Sequence, residues 1–279
     1  MPDSPLVNSD LQSALAEVRQ AYIDRNPKSL SRHHEACEAM PGGNTRTTLH
    51  NAPFPLTVVK GAGCRLWDAD GHEYIDVLGE YTAGIYGHSH PVIRKAIDKA
   101  LDHGWNFAGR NENEGKLAKL IADRMPSIDL VRFTNSGTEG NVMALAGARV
   151  FAQRKGRKQA TKVMVFHGGY HGGVLYFVSG GSPVNMPYEY IVAPYNDIEG
   201  TRALLARHGE ELFAVLLEPM QGSHGCLPGD VAFLKMVREE TRARGITMIF
   251  DEVMTSRLAP GGLQQKTGVI PDMTTLGKY

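Results

Sequence analysis

From Pro91 onward, short apolar runs without polar alternation are interleaved with segments whose apolar residues recur at helical spacing. Strands of this kind are typical of a mostly parallel sheet that is covered by helices on both faces. The predicted strands are Leu130–Thr134, Lys162–Phe166, Tyr190–Ala193, Phe213–Leu217, Ile246–Phe250 and Thr274–Leu276. The predicted helices cover residues 92–103, 113–125, 138–154, 200–208 and 230–244. In such α/β folds ligands gather at the carboxyl ends of the strands, so functional residues are expected there.

The residues before Pro91 follow a different pattern. Apolar positions at helical spacing between Ser9 and Asp24 predict an N-terminal helix, with Ser9-Asp10 as its cap. A predicted loop follows and ends in Pro41-Gly42-Gly43-Asn44. Short β-rich pieces between Pro55 and Val77, separated by glycine-containing turns, predict an antiparallel meander.

The composition is that of an ordinary globular protein, with 42% apolar and 22% charged residues among 279. The 30 basic and 30 acidic side chains give zero formal net charge, so neither nucleic acid nor a membrane surface is an expected partner. No apolar run approaches the ~18 residues of a membrane span, and the polar N-terminus does not resemble a signal peptide. Three widely spaced cysteines without a CxxC pair favour a reducing compartment, so we expect a cytoplasmic protein.

A candidate anion site follows the first predicted strand. Ser136, Gly137 and Thr138 stand where the next predicted helix begins. Gly137 allows the backbone to approach an anion, and the start of the helix offers hydroxyls, free N–H groups and the positive end of the dipole. A plain serine or threonine helix cap explains the same residues, so this pattern alone does not decide.

The second predicted strand is followed by a loop with four glycines, residues 167–173. Such a loop can lie against a ligand, and Tyr170 can stack on a flat ring. A metal site at His167 and His171 is the alternative, but the glycines argue against the helix that this spacing requires, so no metal is expected. A purely structural turn is a further alternative.

Glu218 ends the predicted strand Phe213–Leu217. A carboxylate at a buried strand end is costly unless it is paired. Either a role in the site or a structural ion pair is therefore expected, and the sequence does not choose between them. Gln221 and Ser223, in the turn that follows, are further candidates for contact with a ligand.

An acid and a lysine follow the last two predicted strands. Asp251 comes directly after Phe250, and Lys278 follows a glycine 27 residues later. An acid that keeps a pyridine nitrogen protonated and a lysine that forms a Schiff base are what a pyridoxal phosphate (PLP) site needs. Val253, two residues beyond Asp251, points the same way and can pack beneath the ring. Each residue alone is ordinary, but the anion site, the aromatic loop, the acid and the lysine each follow a predicted strand, in an order that closes one site.

Five motifs together carry a family resemblance. They are Asn135-Ser136-Gly137-Thr138-Glu139, Gly169-Tyr170-His171-Gly172, Glu218-Pro219, Phe250-Asp251-Glu252-Val253-Met254-Thr255 and Asp272-Met273-Thr274-Thr275-Leu276-Gly277-Lys278. These motifs resemble the class III, fold-type-I PLP aminotransferases. Met254-Thr255 and residues 274–278 are similar to the glutamate-1-semialdehyde aminomutase branch. Within that branch, residues 52–57, 80–84 and 251–260 are most similar to β-phenylalanine (β-amino acid) aminotransferases.

The resemblance extends from about Met40 to Tyr279 and implies the fold of fold-type-I PLP-dependent transferases. Residues 1–85 would contribute to a small domain, and residues 86–279 would form the large PLP-binding domain. Because family members continue well beyond the lysine, the resemblance also implies that the C-terminal part is missing. Gly140, where the motif usually has alanine, and Met254, where many members have glutamine, depart from the family pattern.

The resemblance also assigns roles to the candidate residues. It implies Lys278 as the Schiff-base lysine and Asp251 as the partner of the pyridine nitrogen. It implies phosphate contacts from Ser136, Gly137 and Thr138, and stacking by Tyr170. Arg46 matches the arginine that binds the substrate carboxylate, a task suited to its planar fork; a solvated loop arginine is the alternative.

As function, the resemblance implies transfer of an amino group from an amino acid, and in this branch from a β-amino acid, to an oxo-acid acceptor in a homodimer. Two alternatives remain open. One is an intramolecular aminomutase, which uses the same residues but no separate acceptor. The other is a truncated fragment without activity.

Overall fold

The computed structural model describes residues 10–104 and 107–278. They belong to two compact units, Met1–Trp105 and Asn106–Tyr279. No helix in the described ranges has the length and apolar character that a membrane crossing requires. The predicted domain boundary after residue 85 stays a prediction.

The first unit combines three helices with a small antiparallel sheet. Its elements are α1 (Leu11–Arg25), α2 (Pro27–Cys37), β1 (Val58–Ala62), β2 (Arg65–Asp68), β3 (Glu73–Ile75) and α3 (Pro91–Asp102). The N-terminal helix is confirmed, with Asp10 accepting hydrogen bonds from the amides of Gln12 and Ser13, whereas Ser9 lies outside the described residues. The predicted meander is confirmed by the strand order β1-β2-β3 and its antiparallel pairing.

The segment after α1 is the helix α2 and not the predicted loop. Pro27 occupies its first turn, where a missing N–H costs little. The amides of Lys28 and Ser29 donate to the Asp70 carboxylate at 2.8 and 3.0 Å, and the Ser29 hydroxyl donates to it at 2.8 Å. The first turn of α2 is thus capped from a distant turn, which no local sequence pattern reveals.

The second unit is a five-stranded parallel sheet with helices on both faces. Its elements are α4 (Glu112–Arg124), α5 (Gly137–Arg154), β4 (Lys162–Phe166), β5 (Glu189–Ala193), α6 (Ile198–His208), β6 (Leu212–Leu217), β7 (Met220–Gln221), β8 (Leu227–Pro228), α7 (Val231–Ala243), β9 (Thr247–Asp251), α8 (Gly262–Thr267) and β10 (Met273–Thr275). The strand order of the sheet is β10-β9-β6-β4-β5, and every neighbouring pair is parallel. The predicted parallel α/β fold is confirmed, as are five of its six predicted strands.

Two apolar cores sandwich this sheet. Val163 and Val165 of β4 face the core that α5 covers, and Met164 and Phe166 face the core that α6 and α7 cover. Because both faces of the strand are buried, both sets of alternating side chains are apolar, which explains the absence of polar alternation in the sequence.

The prediction of a strand at Leu130–Thr134 was wrong for the described residues. These residues and β10 line one groove of about 1350 Å³, with α4 and α5 contributing further wall. Leu130 is 93% exposed, and β10 has no described strand partner on its outer side. A strand requires a hydrogen-bonded neighbour about 4.8 Å away. The apolar run indicates that residues 130–134 prefer an extended conformation. Whether they form a strand depends on a neighbouring segment with which their backbone can form hydrogen bonds.

Candidate active site

The candidate anion site lies at the start of α5. Ser136 is the N-cap, and its hydroxyl accepts a hydrogen bond of 3.1 Å from the amide of Glu139. The Ser136 carbonyl accepts a bond of 3.0 Å from the amide of Gly140. Within the described residues, the amides of Gly137 and Thr138 have no protein acceptor, as is usual for a first helical turn. Two N–H groups at the positive end of the helix dipole therefore remain for an anion.

Val253 connects this helix start to the segment that carries the lysine. A Cβ on Gly137 would lie 3.1 Å from Cγ2 of Val253, and a Cβ on Gly277 would lie 3.1 Å from Cγ1 of the same side chain. Both glycines thus pack directly on Val253, which would have to give by a few tenths of an ångström to admit a larger residue. The anion site and the residue before Lys278 therefore lie against one side chain.

The glycine-rich loop also lies against the start of α5. Gly172 has a φ of +118°, and a Cβ built on it would lie only 2.1 Å from Oγ1 of Thr138. The ring of Tyr170 packs edge-on against Tyr176 at 5.8 Å between centroids. The position of the aromatic loop is therefore set by contact with the anion site itself.

The Glu218 carboxylate binds the backbone of the loop that carries Tyr170. Its Oε1 accepts a hydrogen bond of 3.0 Å from the amide of Tyr170, and its Oε2 accepts one of 3.0 Å from the amide of Gly222. Burial raises the pKa of Glu218 to about 7, and the charge of Asp251 adds to the rise, whereas His171 and the two amides oppose it. The sequence left two alternatives for Glu218, a role in the site and a structural ion pair. The structure favours a role beside the site, because backbone amides bind the carboxylate where an ion-pair partner would otherwise lie.

Asp251 ends β9 and is only 5% exposed. Its Oδ2 accepts a hydrogen bond of 2.8 Å from Nδ2 of Asn141 and lies 2.9 Å from Nδ1 of His171, while its Oδ1 accepts one of 3.0 Å from the amide of Val253. The acid is thus held by three neighbouring groups in a buried environment.

Lys278 follows β10 with a φ of +59°, a conformation uncommon for residues other than glycine. The guanidinium of Arg257 donates to the carbonyl oxygen of Gly277 at 3.5 Å and to that of Lys278. Lys278 and Ser136 both line the groove of about 1350 Å³. The structure thus brings the lysine and the anion site to one cavity.

The sequence of the chain matches a known protein family. The family model described as "Aminotransferase class-III" matches residues 47–279. The chain belongs to the class III aminotransferases. It is 50% identical over 274 residues to the β-phenylalanine transaminase of Variovorax paradoxus, a match that covers 98% of this chain and 62% of that protein. It is 39% identical over 272 residues to the glutamate-1-semialdehyde 2,1-aminomutase of Thermodesulfovibrio yellowstonii, covering 91% and 62%.

Solved structures of transaminases share the fold of this chain. The crystal structure of the β-phenylalanine aminotransferase from Variovorax paradoxus matches with a TM-score of 0.90 at 50% identity, covering 96% of this chain and 61% of that one. A structure described as "Transaminase with PLP bound" matches with a TM-score of 0.83 at 33% identity, covering 91% and 61%. The chain therefore spans about three fifths of the length of these relatives.

Pyridoxal phosphate is the cofactor that the class III family and its PLP-bound neighbour indicate. The described residues fit this group. The amides of Gly137 and Thr138, without a protein acceptor among the described residues, suit a phosphate, Asp251 supplies a buried carboxylate for a pyridinium, and Lys278 supplies a primary amine. The donor set is thus an anion site, a carboxylate and an amine, which is the chemistry that PLP requires.

Arg46 belongs to the first compact unit of this class III aminotransferase. Its guanidinium donates to Oε1 of Glu80 at 2.8 Å, and both side chains are about half exposed, at 54% and 53%. An exposed ion pair of this kind contributes little to stability. Replacing Glu80 by another carboxylate as the partner of Arg46 therefore costs little free energy. The role of Arg46 in substrate binding stays a prediction.

Sequence reasoning missed Asn141 and considered His171 only as a metal ligand. Asn141 stands one helical turn after Gly137, so both lie on the same face of α5. A polar residue on that face, ahead of the buried Ala144 and Leu145, was the available signal. The histidine gave no comparable signal, because its partner Asp251 is 80 positions away.

The histidine pair of the loop is not arranged as a helical metal site. Residues 167–171 form a turn, and the His171 ring faces Asp251. His167 lies near His224, with 6.1 Å between ring centroids. Among the described residues, no group of three His, Cys, Asp or Glu side chains is placed to hold a metal ion.

Proposed function

We propose that this chain is the cofactor-binding part of a PLP-dependent aminotransferase that moves an amino group from an amino acid to an oxo-acid acceptor. The observation that carries the proposal is the packing of Gly137 and Gly277 on Val253, two residues beyond Asp251. These contacts support the assignment of the anion site, the acid and the lysine to one site. Membership of the class III family supports the reaction type.

Each predicted residue has a task in this proposal. Bound PLP supplies a charged ring that accepts electrons from the substrate carbon as that carbon loses its proton. Lys278 would hold the cofactor by condensing with its aldehyde, with loss of water, and its amine, once freed, would move the proton away from the substrate carbon. Asp251 would keep the proton on the pyridine nitrogen.

The remaining predicted residues hold the cofactor in place. Ser136, Gly137 and Thr138 would bind its phosphate through the hydroxyls and amides at the start of α5. Tyr170 would cover one face of the ring, and Val253 would pack against the other. A ring held between two side chains is oriented as well as bound, which aligns the bond to be broken.

For the amino donor we propose a β-amino acid whose carboxylate is bound by Arg46. The 50% identity to a β-phenylalanine transaminase supports this donor class. A planar guanidinium binds a carboxylate through two parallel hydrogen bonds, which fixes both distance and orientation. The complete protein is proposed to be a homodimer in the cytoplasm, with small-molecule substrates as its partners.

An intramolecular aminomutase is the second candidate. The 39% identity to a glutamate-1-semialdehyde 2,1-aminomutase favours it. The two reactions use the same groups, so the requirement for a separate oxo-acid acceptor distinguishes them. A mutase converts a single substrate in the absence of acceptor, whereas a transaminase stops after one amino group per site.

The first experiment adds PLP to the purified chain and records its visible absorbance, with Lys278→Ala and Lys266→Ala as a matched pair. Lys266 is an exposed lysine of α8, so its loss controls for nonspecific modification. We expect a visible absorption band in the chain and in Lys266→Ala, and its absence in Lys278→Ala, because the band requires PLP bound to this lysine. Absence of the band from the unmodified chain would instead support an inactive fragment.

A further inference from the structure

Asn141 is a buried polar residue with every hydrogen-bonding group of its side chain in use. It is 1% exposed. Its Nδ2 donates to Oδ2 of Asp251 at 2.8 Å and to the carbonyl oxygen of His171 at 3.0 Å. Its Oδ1 accepts a hydrogen bond of 2.8 Å from the hydroxyl of Thr275. The amide therefore joins four segments, which are α5, the glycine-rich loop, β9 and β10.

The orientation of this amide is fixed by its partners. An ionised carboxylate and a carbonyl oxygen only accept hydrogen bonds, so both must face the Nδ2 group of Asn141. A flipped amide would set its oxygen against two acceptors. The Thr275 hydroxyl must then be the donor to Oδ1, and this bond holds the amide plane in place.

The donors around Asp251 leave one position open on its carboxylate. Oδ2 takes the bonds from Asn141 and His171, and Oδ1 takes one from the amide of Val253. A carboxylate offers about four acceptor positions, two on each oxygen. With three filled, the position left on Oδ1 is the one available to a further donor.

We propose that Asn141, held by Thr275, is a positioning residue that orients the Asp251 carboxylate so that Oδ1 is presented to the pyridine nitrogen of PLP. The inference rests on the proposed function. It deepens that function because Thr275 ends the strand that leads to Lys278, so this strand also helps to set the plane of the acid. Loss of the amide lets the carboxylate turn away from the pyridine nitrogen, which weakens the contact that holds the proton there.

The test uses the full chain loaded with PLP that carries ¹⁵N at the pyridine nitrogen. The variants are Asn141→Leu, which removes the amide at similar volume, and Thr275→Val, which removes one hydroxyl at similar shape. Thr275→Ser restores the hydroxyl. Thr274→Val is the matched control, since the Thr274 hydroxyl bonds Ser127 and Gln264 and has no part in the Asp251 network.

The expected result is a ¹⁵N chemical shift displaced toward that of an unprotonated pyridine in Asn141→Leu and Thr275→Val. The dissociation constant of PLP should rise about tenfold in Asn141→Leu, the effect of losing one hydrogen bond to a charged group. Thr275→Ser and Thr274→Val should match the unmodified chain in both measurements. A merely structural role would lower the melting temperature of Thr274→Val and Thr275→Val alike and leave the ¹⁵N shift unchanged.

The outcomes separate this inference from the proposed function. A lysine-dependent band in every variant, with one common ¹⁵N shift, would overturn the role of Asn141 and leave the aminotransferase proposal intact. No band in the unmodified chain would overturn both for this chain. Should Asn141→Leu fail to fold by circular dichroism, Thr275→Val decides alone, because it keeps the side-chain volume and removes one oxygen atom.

Discussion

The side chain of Thr138 rests on the α-carbon of Gly172, so closely that a Cβ at residue 172 would lie 2.1 Å from Thr138 Oγ1. The contact joins the first turn of α5 to the loop that carries Tyr170. Because the first turn of α5 and the Tyr170 loop are in direct contact, neither can move by much without the other.

Gly172→Ala should destabilise the fold and disrupt the site. The φ of +118° is unfavourable for any residue with a Cβ, and the new methyl group would displace Thr138. Backbone strain and overpacking together should cost about 2–4 kcal/mol. Urea denaturation measures the loss, with Gly173→Ala as control, since a Cβ at that neighbouring position meets nothing within 4 Å. Equal stability of the two variants would contradict the contact.

Glu252→Gln should be among the most destabilising isosteric changes in this chain. The Glu252 carboxylate is fully buried and accepts from the Thr255 hydroxyl, the amides of Leu263 and Gln264, and the Gln264 side chain at 2.6–3.1 Å. A glutamine would turn an NH₂ group toward donors, which should cost about 3 kcal/mol of the free energy of unfolding. Glu239→Gln, at an exposed position of α7, should change stability by less than about 0.5 kcal/mol in the same titration.

The stability of the fold should depend on pH through Glu218. Its pKa rises from an ordinary 4.5 to about 7 in the folded chain, mainly through burial. The folded state therefore holds this proton more tightly than the unfolded state. The contribution to stability is complete below about pH 4.5 and is lost as pH rises through 7, by a total of about 3 kcal/mol.

Glu218→Gln isolates this contribution, because a glutamine does not titrate. Free energies of unfolding at pH 5 and pH 7.5 give the change for each protein, and the difference between the two changes belongs to Glu218. The neighbouring His171 and Asp251 are present in both proteins and cancel to first order. The same pH dependence in chain and variant would show that Glu218 does not titrate in this range.

Arg46→Ala should raise the KM for a carboxylate-bearing donor by about 10- to 100-fold in a form of the protein that turns over, since a paired guanidinium–carboxylate contact is lost. Binding of PLP, measured by absorbance, should change little, because the proposed contact is with the donor and not with the cofactor. Arg65→Ala is the control: Arg65 pairs with Glu73 on the exposed meander. If both variants raised KM equally, general electrostatics rather than Arg46 would be responsible.

The sequence predicted the part of this structure that depends on local pattern. β4 is apolar at every position that faces a core, so its burial on both faces could be anticipated. Val253 was expected to point toward the site because it lies two residues beyond Asp251, and its contacts with Gly137 and Gly277 agree with that direction. The catalytic and binding roles themselves stay predictions.

The parts that sequence analysis missed depend on long-range contacts. The helix α2 has one buried residue, Ser29, and its first turn is held by Asp70, so apolar periodicity could not reveal it. The Thr275–Asn141 bond joins residues 134 positions apart. Such pairings follow from the order of strands in the sheet, which local propensity does not encode.

The outer side of β10 has a consequence for how the chain behaves in solution. Among the described residues no strand pairs with the outer side of β10, and such a strand edge beside exposed apolar side chains is a template for another extended segment. Leu130 and Leu120, at 93% and 66% exposure, line the groove there. We therefore expect light scattering from this 279-residue chain to grow with concentration and to fall when Leu130 is replaced by aspartate. Self-association through this strand edge would then be detectable by light scattering before any enzymatic assay is made.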